Sequence, residues 1–280
     1  MKDENIIQIS NDVKNLGVFS KNNFLDEDDF GFVSKSLIEL VKKQKKIYFP
    51  VTFKQFFIKF IKFEFKKSQT SKKLIDISNK LKLKKIASNI LGKEAFLETL
   101  DCYLSNKSNK QILEWHNDIG FDPNKRSSED DFLKEAQATI KNKKDRSSRG
   151  VKFFVYLTDV KSNNGALGVI PYSHKIVTAL TKLIVENKIN IKPYWKLKDL
   201  REFIFSKNIK ESIIQFVNSD EVDRFIDYSK FIDSSEKDTF DFDYEMKKNS
   251  VVIFDELCVH RGSAPIENDR LVLRYLYRKK

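Results

Sequence analysis

Cysteine is scarce, with only Cys102 and Cys258 in 280 residues, and the two form no metal-ligand spacing. A reduced, cytoplasmic setting is expected. The 8 glycines and 5 prolines are too scattered to mark a domain boundary, and there are no internal repeats and no low-complexity linker. A single domain over 1–280 is therefore expected. No apolar run approaches the roughly 20 residues needed to span a bilayer. Met1 to Ser10 is acidic and polar and lacks a charged-then-apolar signal pattern. A soluble protein without integral membrane insertion follows.

Phenylalanine and charge are plentiful instead. The 24 Phe within a 40% hydrophobic composition supply a sizeable core. Lys+Arg 52 against Asp+Glu 40 leaves a formal net charge of +12, which invites a nucleic-acid reading. The basic residues are interspersed with acids, however, and Lys recurs with Asn, Ile and Phe from end to end. That pattern is a general compositional preference, so nucleic acid is not the expected partner.

Hydrophobic spacing predicts helices first. Asp26 to Lys46 opens on acids (Asp26 to Asp29), continues with Phe32, Leu37, Leu40 and Val41 at helical spacing, and ends on basic residues. Phe53 to Lys66 puts Phe53, Phe56, Phe57, Phe60 and Ile61 on one face and Lys59, Lys62 and Lys66 opposite. This is expected to be a helix packed on the core, although the same face would suit a membrane surface or a hydrophobic substrate tail. Leu74 to Leu91 is predicted as another amphipathic helix, giving a helical part over about 26–91.

After Gly92 the runs Phe96 to Leu104, Gln111 to His116, Val151 to Leu157 and Val251 to His260 are short and β-branched or aromatic. They predict a mostly antiparallel β core. Two polar stretches interrupt it: a loop over 122–150, with one helix near Phe132 to Ile140, and a mostly helical insertion over 176–244. Segments of that length between strands are commonly lids or binding elements.

Only three histidines occur. Strand alternation puts His116 and Asp118 on one face, two residues apart, so both can reach one ion. His260 ends the run from Val251 near the carboxy terminus. Two imidazoles and one carboxylate form the facial triad typical of non-haem iron(II), with positions open for cosubstrate and oxygen. A His-x-Asp triplet by itself also arises by chance, with an exposed or core histidine as the plain alternative. Arg270, on the strand after His260, strengthens the metal reading, because its planar fork matches the distal carboxylate of 2-oxoglutarate.

Three groups of residues carry a family resemblance. They are Trp115-His116-Asn117-Asp118, the run from Val155-Tyr156-Leu157-Thr158-Asp159-Val160 through Asn164-Gly165-Ala166-Leu167 to Pro171-Tyr172-Ser173-His174-Lys175, and His260-Arg261-Gly262-Ser263 with Asn268-Asp269-Arg270. With these the chain resembles the phytanoyl-CoA dioxygenase-like family of 2-oxoglutarate oxygenases from about Trp115 onward. Tyr172 stands where the family has Gly, Asn249-Ser250 replaces its Gly-Asp, and the interval from His260 to Arg270 is one residue shorter.

The resemblance implies a mostly β fold with flanking helices and a double-stranded β-helix (jelly-roll, cupin-like) core. It implies iron(II) on His116, Asp118 and His260, with 2-oxoglutarate as cosubstrate paired to Arg270 and O2 as oxidant. The expected reaction is hydroxylation of a small-molecule substrate with decarboxylation of 2-oxoglutarate to succinate and carbon dioxide. The Asp118 carboxylate favours this over halogenation, since related halogenases put a small residue there.

Four further residues are placed as follows. His174 is expected to be structural. Cys258 shares strand parity with His260 and is expected to pack in the core. Arg274, on the same face as Arg270, either contacts an acidic substrate or makes a structural ion pair. Tyr103 is either a second 2-oxoglutarate contact or core packing. Two rival functions remain. One is a non-catalytic basic jelly roll that binds nucleic acid, which would have the triad or the arginine broken. The other is a membrane-peripheral oxygenase acting on a lipid or acyl substrate through the 53–66 face.

Overall fold

Alternation along the long strands sorts the carboxy-terminal half of the chain onto two faces of one sheet. In the computed structural model, which describes residues 2–52, 55, 65–110, 112–118, 149–189, 196–206, 208–235 and 238–280, strand β5 (Gly150–Tyr156) turns Val151, Phe153 and Val155 to one side and Phe154 and Tyr156 to the other. Strand β8 (Ser250–Asp255) does the same with Val251 and Ile253 against Val252 and Phe254. Strand β10 (Arg270–Lys279) sends Leu271, Leu273, Tyr275 and Tyr277 to the first side and Val272 to the second. Apolar residues on both faces mean that both faces must be covered.

These strands belong to a six-stranded antiparallel sheet in the order β1-β8-β5-β10-β3-β2, with β1 Val18–Lys21, β2 Lys46–Tyr48 and β3 Ala95–Ser105. One face is covered by α1 (Asp3–Leu16), α2 (Glu27–Val41), α3 (Phe65–Lys80) and α4 (Leu83–Leu91), whose Ile6, Ile9, Val33, Leu37, Leu74 and Ile86 enter the same core. Helix α2 starts where its sequence predicts: the Asp26 side chain accepts from the Asp29 amide at 2.9 Å. The other face packs on a second, four-stranded sheet, β4-β9-β6-β7, with β4 Leu113–His116, β6 Leu167–Val169, β7 Asp243–Tyr244 and β9 His260–Gly262. Leu167 and Val169 meet Phe154, Tyr156, Val252 and Phe254 between the sheets.

A second group of helices follows β6: α5 (Ser173–Val185), α6 (Leu197–Ile204), α7 (Ile209–Ile214) and α8 (Ser219–Tyr228). They have a core of their own, including Leu180, Leu183, Leu200 and Phe225, which Trp115 and Val259 join from the small sheet.

Four expectations change. The chain is a mixed helical and antiparallel-sheet protein and not a mostly β one, because helices cover the large sheet and α5–α8 carry a separate core. The amino-terminal part is not purely helical, since β1 and β2 form both edges of the large sheet. The helix predicted over Leu74 to Leu91 is two, broken at Lys82 with a left-handed φ of 56° that no glycine or proline signals. The run Val251 to His260 is not one strand: β8 stops at Asp255, and His260 opens β9 in the other sheet. The 53–66 helical face and nearly all of the 122–150 loop lie outside the described residues.

Two departures from the family pattern keep its backbone. Tyr172 has φ 66° and Asn249 φ 63°, both in the left-handed region where glycine is the unstrained choice. Asn249 offsets the strain with its side chain, which accepts from the Leu25 amide and donates to the Leu25 carbonyl, each at 2.9 Å. Asn249→Gly keeps the permitted φ and loses both bonds, so denaturant melts should show a loss of about 1–2 kcal/mol. Asn249→Ala should lose about 1 kcal/mol more through backbone strain. Equal stability of the Gly variant and the parent would remove the side-chain bonds from this account.

Candidate metal centre and cosubstrate cleft

Antiparallel pairing of β4 with β9 sets His116 directly opposite His260. Residues so paired have their Cα atoms about 5 Å apart, and the two imidazole centroids are 4.4 Å apart. Each ring is turned by a backbone carbonyl two residues earlier in the chain: His116 Nδ1 donates to Glu114 O at 2.6 Å and His260 Nδ1 to Cys258 O at 2.8 Å. A proton held on Nδ1 leaves the Nε2 lone pair free, which is how a ligating imidazole is prepared.

Asp118 lies just past the end of β4. Its Oδ1 is 3.8 Å from His116 Nε2 and its Oδ2 is 3.8 Å from His260 Nε2. Among the described residues these three form a group whose ligand atoms all lie within 4.8 Å of one another. Two neutral imidazoles and a carboxylate at that spacing fit one divalent transition-metal ion, with one side of the ion left open.

The neighbours of the histidines fix the strands. Trp115 and Arg261 alternate to the opposite face. Arg261 is fully buried, with its guanidinium 5.1 Å from the Trp115 ring, and it donates to Thr239 O at 2.7 Å and to Asp243 Oδ1 at 2.9 Å. Trp115 Nε1 donates to Asp238 Oδ1 at 2.7 Å. The turn before His260 is held in the same way, as Val259 N donates to Ser173 Oγ at 2.8 Å and Asp255 N to Gly17 O at 2.8 Å.

Cys258 sits in that turn, outside any strand, so strand parity does not apply to it. Its thiol points to Gly17 O at 3.3 Å, and burial pushes its pKa well up. His174 is buried and bonded through Nε2 to Lys14 O at 3.1 Å.

The two candidate arginines of β10 differ in what they touch. Arg274 grips Asp101 on β3 through Nε at 2.8 Å and Nη2 at 2.6 Å, with the Asp101 side chain fully buried. This is a bidentate ion pair between β10 and β3. Arg270 is 2% exposed, and among the described residues its Nε and Nη2 have no hydrogen-bond partner. Its guanidinium lies 5.7 Å from the Tyr103 ring and 5.6 Å from the Tyr156 ring.

Two glycines border the Arg270 side chain. A Cβ at Gly165 would lie 3.4 Å from Arg270 Cδ, and one at Gly262 would lie 3.6 Å from Nη1. Gly262 is two residues beyond His260, a strand repeat of about 7 Å. A buried cation with no carboxylate partner among the described residues, that far from His260, suits an anion whose other end reaches a metal held there.

Two cleft residues escaped the sequence reading. Tyr156, facing inward on β5, packs against Arg270. Lys152, also on β5, forms an ion pair with Asp118 Oδ2 and has a side chain only 8% exposed. A lysine in a strand that is otherwise apolar on both faces was the available signal, since it needs a partner there.

Burial by itself would raise the Asp118 carboxyl, but Lys152, His260 and His116 outweigh it and hold the pKa below the usual carboxylate range. Burial lowers His116, and it lowers His260 to about 3 with help from the neighbouring imidazole. Both imidazoles therefore hold the neutral, metal-binding form to lower pH than a free imidazole does. An unperturbed imidazole pair with pKa about 6.5 would lose about a hundredfold in metal affinity between pH 7.5 and 5.5. Calorimetric titration of nickel(II) should show a loss of less than about tenfold here, and a hundredfold loss would show that the histidines protonate normally.

The phytanoyl-CoA dioxygenase (PhyH) family model matches residues 55–269. Among solved structures, HygX from Streptomyces hygroscopicus with nickel and 2-oxoglutarate bound is similar over 98% of this chain and 86% of that one, with a TM-score of 0.55 and 13% identity. SnoK, a non-heme alpha ketoglutarate dependent carbocyclase from nogalamycin biosynthesis, is similar over 97% of this chain and 83% of that one, with a TM-score of 0.53 and 12% identity. The epimerase SnoN from nogalamycin biosynthesis gives 99% and 84%, 0.51 and 11%. At such identities the likeness is one of fold. No curated protein matches the sequence. The family match covers more than half of the chain, including the cross-strand histidines and Asp118, and the chain therefore belongs to the phytanoyl-CoA dioxygenase (PhyH) family.

Proposed function

We propose that this protein is an iron(II)- and 2-oxoglutarate-dependent oxygenase that hydroxylates a small molecule, with its core built as a double-stranded β-helix from the two facing sheets. The observation that carries the reading is the Arg270 guanidinium, which has no carboxylate partner among the described residues and two unsatisfied nitrogens, buried about one strand repeat from a two-histidine, one-carboxylate centre. A dicarboxylate cosubstrate answers both features at once.

In this reading His116 Nε2, His260 Nε2 and an Asp118 oxygen hold iron(II), and Arg270 holds the far carboxylate of 2-oxoglutarate. Iron(II) and 2-oxoglutarate together supply, from O2, an oxidant able to take a hydrogen from the substrate, with succinate and carbon dioxide as the other products. The chain's own residues orient and shield. The carbonyls of Glu114 and Cys258 keep the Nδ1 protons in place, so Nε2 always faces the metal. Tyr103 and Tyr156 wall the guanidinium off from water, which strengthens its charged contact. Arg274, saturated by Asp101, stiffens the floor beneath them. The two buried free thiols suit a reduced, cytoplasmic setting.

Arg270→Gln should raise the 2-oxoglutarate requirement about tenfold to a hundredfold and leave nickel affinity nearly unchanged. Arg274→Gln should leave the cosubstrate requirement as it is and cost about 3 kcal/mol in stability, because it strands the buried Asp101 carboxylate. A cosubstrate effect at Arg274 alone would reverse the assignment.

A panel of candidate small molecules, scored by succinate release above the substrate-free background, should yield a compound whose product gains one oxygen atom by mass. A product of unchanged mass would indicate epimerisation, and one that has lost two hydrogens would indicate ring closure or desaturation. Either would replace hydroxylation while keeping the cofactors. Succinate release that survives His260→Ala would sink the reading as a whole.

A further inference from the structure

The metal and cosubstrate account leaves one buried cation unused. Lys152 rises from the inner face of β5, in register with Leu276 on β10 and Phe254 on β8. Both flanking positions are apolar, so no acid stands beside it in its row. Its ammonium lies 5.7 Å from the Phe254 ring, and that ring lies 5.1 Å from the His260 ring. Its ion pair with Asp118 is the one carboxylate contact it makes among the described residues. Glu256, a second buried carboxylate in this region, lies 2.7 Å from Arg278 Nη1 and also feels the charges of Lys152 and Arg149, while Arg278 Nε donates to Glu98 Oε2 at 2.9 Å.

Charge balance then decides what Lys152 needs. With iron(II) bound, the Asp118 carboxylate is shared with the metal. The two carboxylates of 2-oxoglutarate and the Asp118 carboxylate cancel the ion and the Arg270 guanidinium. Asp101 cancels Arg274. Glu98 and Glu256 stand against Arg278 and Arg149, so among the described residues Lys152 is the cation left over, whether or not it still touches Asp118, in a cleft where an uncompensated charge is costly.

We propose that Lys152 binds an oxyanion, a carboxylate or its like, carried by the primary substrate beside the metal, so that the enzyme acts on small anionic molecules. The inference rests on the oxygenase reading given above. A bound anion would restore neutrality and hold the substrate within reach of the open side of the metal. The Phe254 ring closes the opposite side of the ammonium.

The probe is sulfate, titrated at constant ionic strength into the protein loaded with nickel(II) and saturating 2-oxoglutarate, so that Arg270 and the metal are already taken. Calorimetry and melting temperature are the readouts. Sulfate should bind the parent and Lys152→Arg, and bind Lys152→Met about tenfold to a hundredfold more weakly. Nickel and 2-oxoglutarate affinities measured on the same samples report intact sites, and Lys152→Gln serves as the neutral variant should the Met variant fail to fold. Equal sulfate binding with and without the lysine would place the anion on the metal or the surface and overturn the proposal. So would a parent that binds nickel and 2-oxoglutarate but no sulfate. A parent that binds neither nickel nor 2-oxoglutarate would overturn the oxygenase reading, and this inference with it.

Discussion

The register of β4 against β9 is the constraint on which the rest of the site depends. Setting His116 opposite His260 brings two imidazoles from distant parts of the chain to one point, and it decides which side chains look inward. A slip of one residue would exchange His116 for Trp115 and His260 for Arg261. The Trp115–Arg261 stack, with its bonds to Asp238, Thr239 and Asp243, holds the outer face so that the slip cannot happen. The small sheet is short, and its register is enforced by the segment that follows α8.

Charge in the interior follows one rule, that each buried ion is answered or left open for a ligand. Asp101 answers Arg274, Asp243 answers Arg261, and Arg278 answers Glu256. Buried pairs of this kind add little net stability, but losing one partner is expensive. They act as fixed walls, and against them Arg270 differs in having no carboxylate partner among the described residues. The same accounting separates Arg270 from Arg274, which strand parity could not do.

Much of the site was legible in the sequence because it obeys local rules. His116 and Asp118 are two residues apart, and the strand carrying Arg270 shows its alternation plainly. The helix from Glu27 announced itself through the Asp26 cap and the acids of its first turn. What escaped depends on contacts distant in sequence. Nothing near Lys82 marks a helix break, and nothing between Val251 and His260 shows the chain leaving one sheet for the other, since the residues stay apolar throughout. The amino-terminal strands β1 and β2 are too short for periodicity to register. Lys152 was hidden because a single lysine in a lysine-rich chain carries no signal until its strand is known to be buried on both faces.

The close approach of Gly17 to the turn before His260 bears on how the molecule assembles. A Cβ at Gly17 would lie 2.5 Å from Cys258 Sγ and 2.6 Å from His174 Nδ1, while its own carbonyl accepts from Asp255. The turn that aims His260 is thus moulded against the end of the first helix, more than two hundred residues earlier in the chain. Closing so long a loop is a late and entropically costly event. A growing chain can form α1 early, yet His260 cannot stand opposite His116 until the final strands have come back to meet it, so the cluster is a product of the finished tertiary fold.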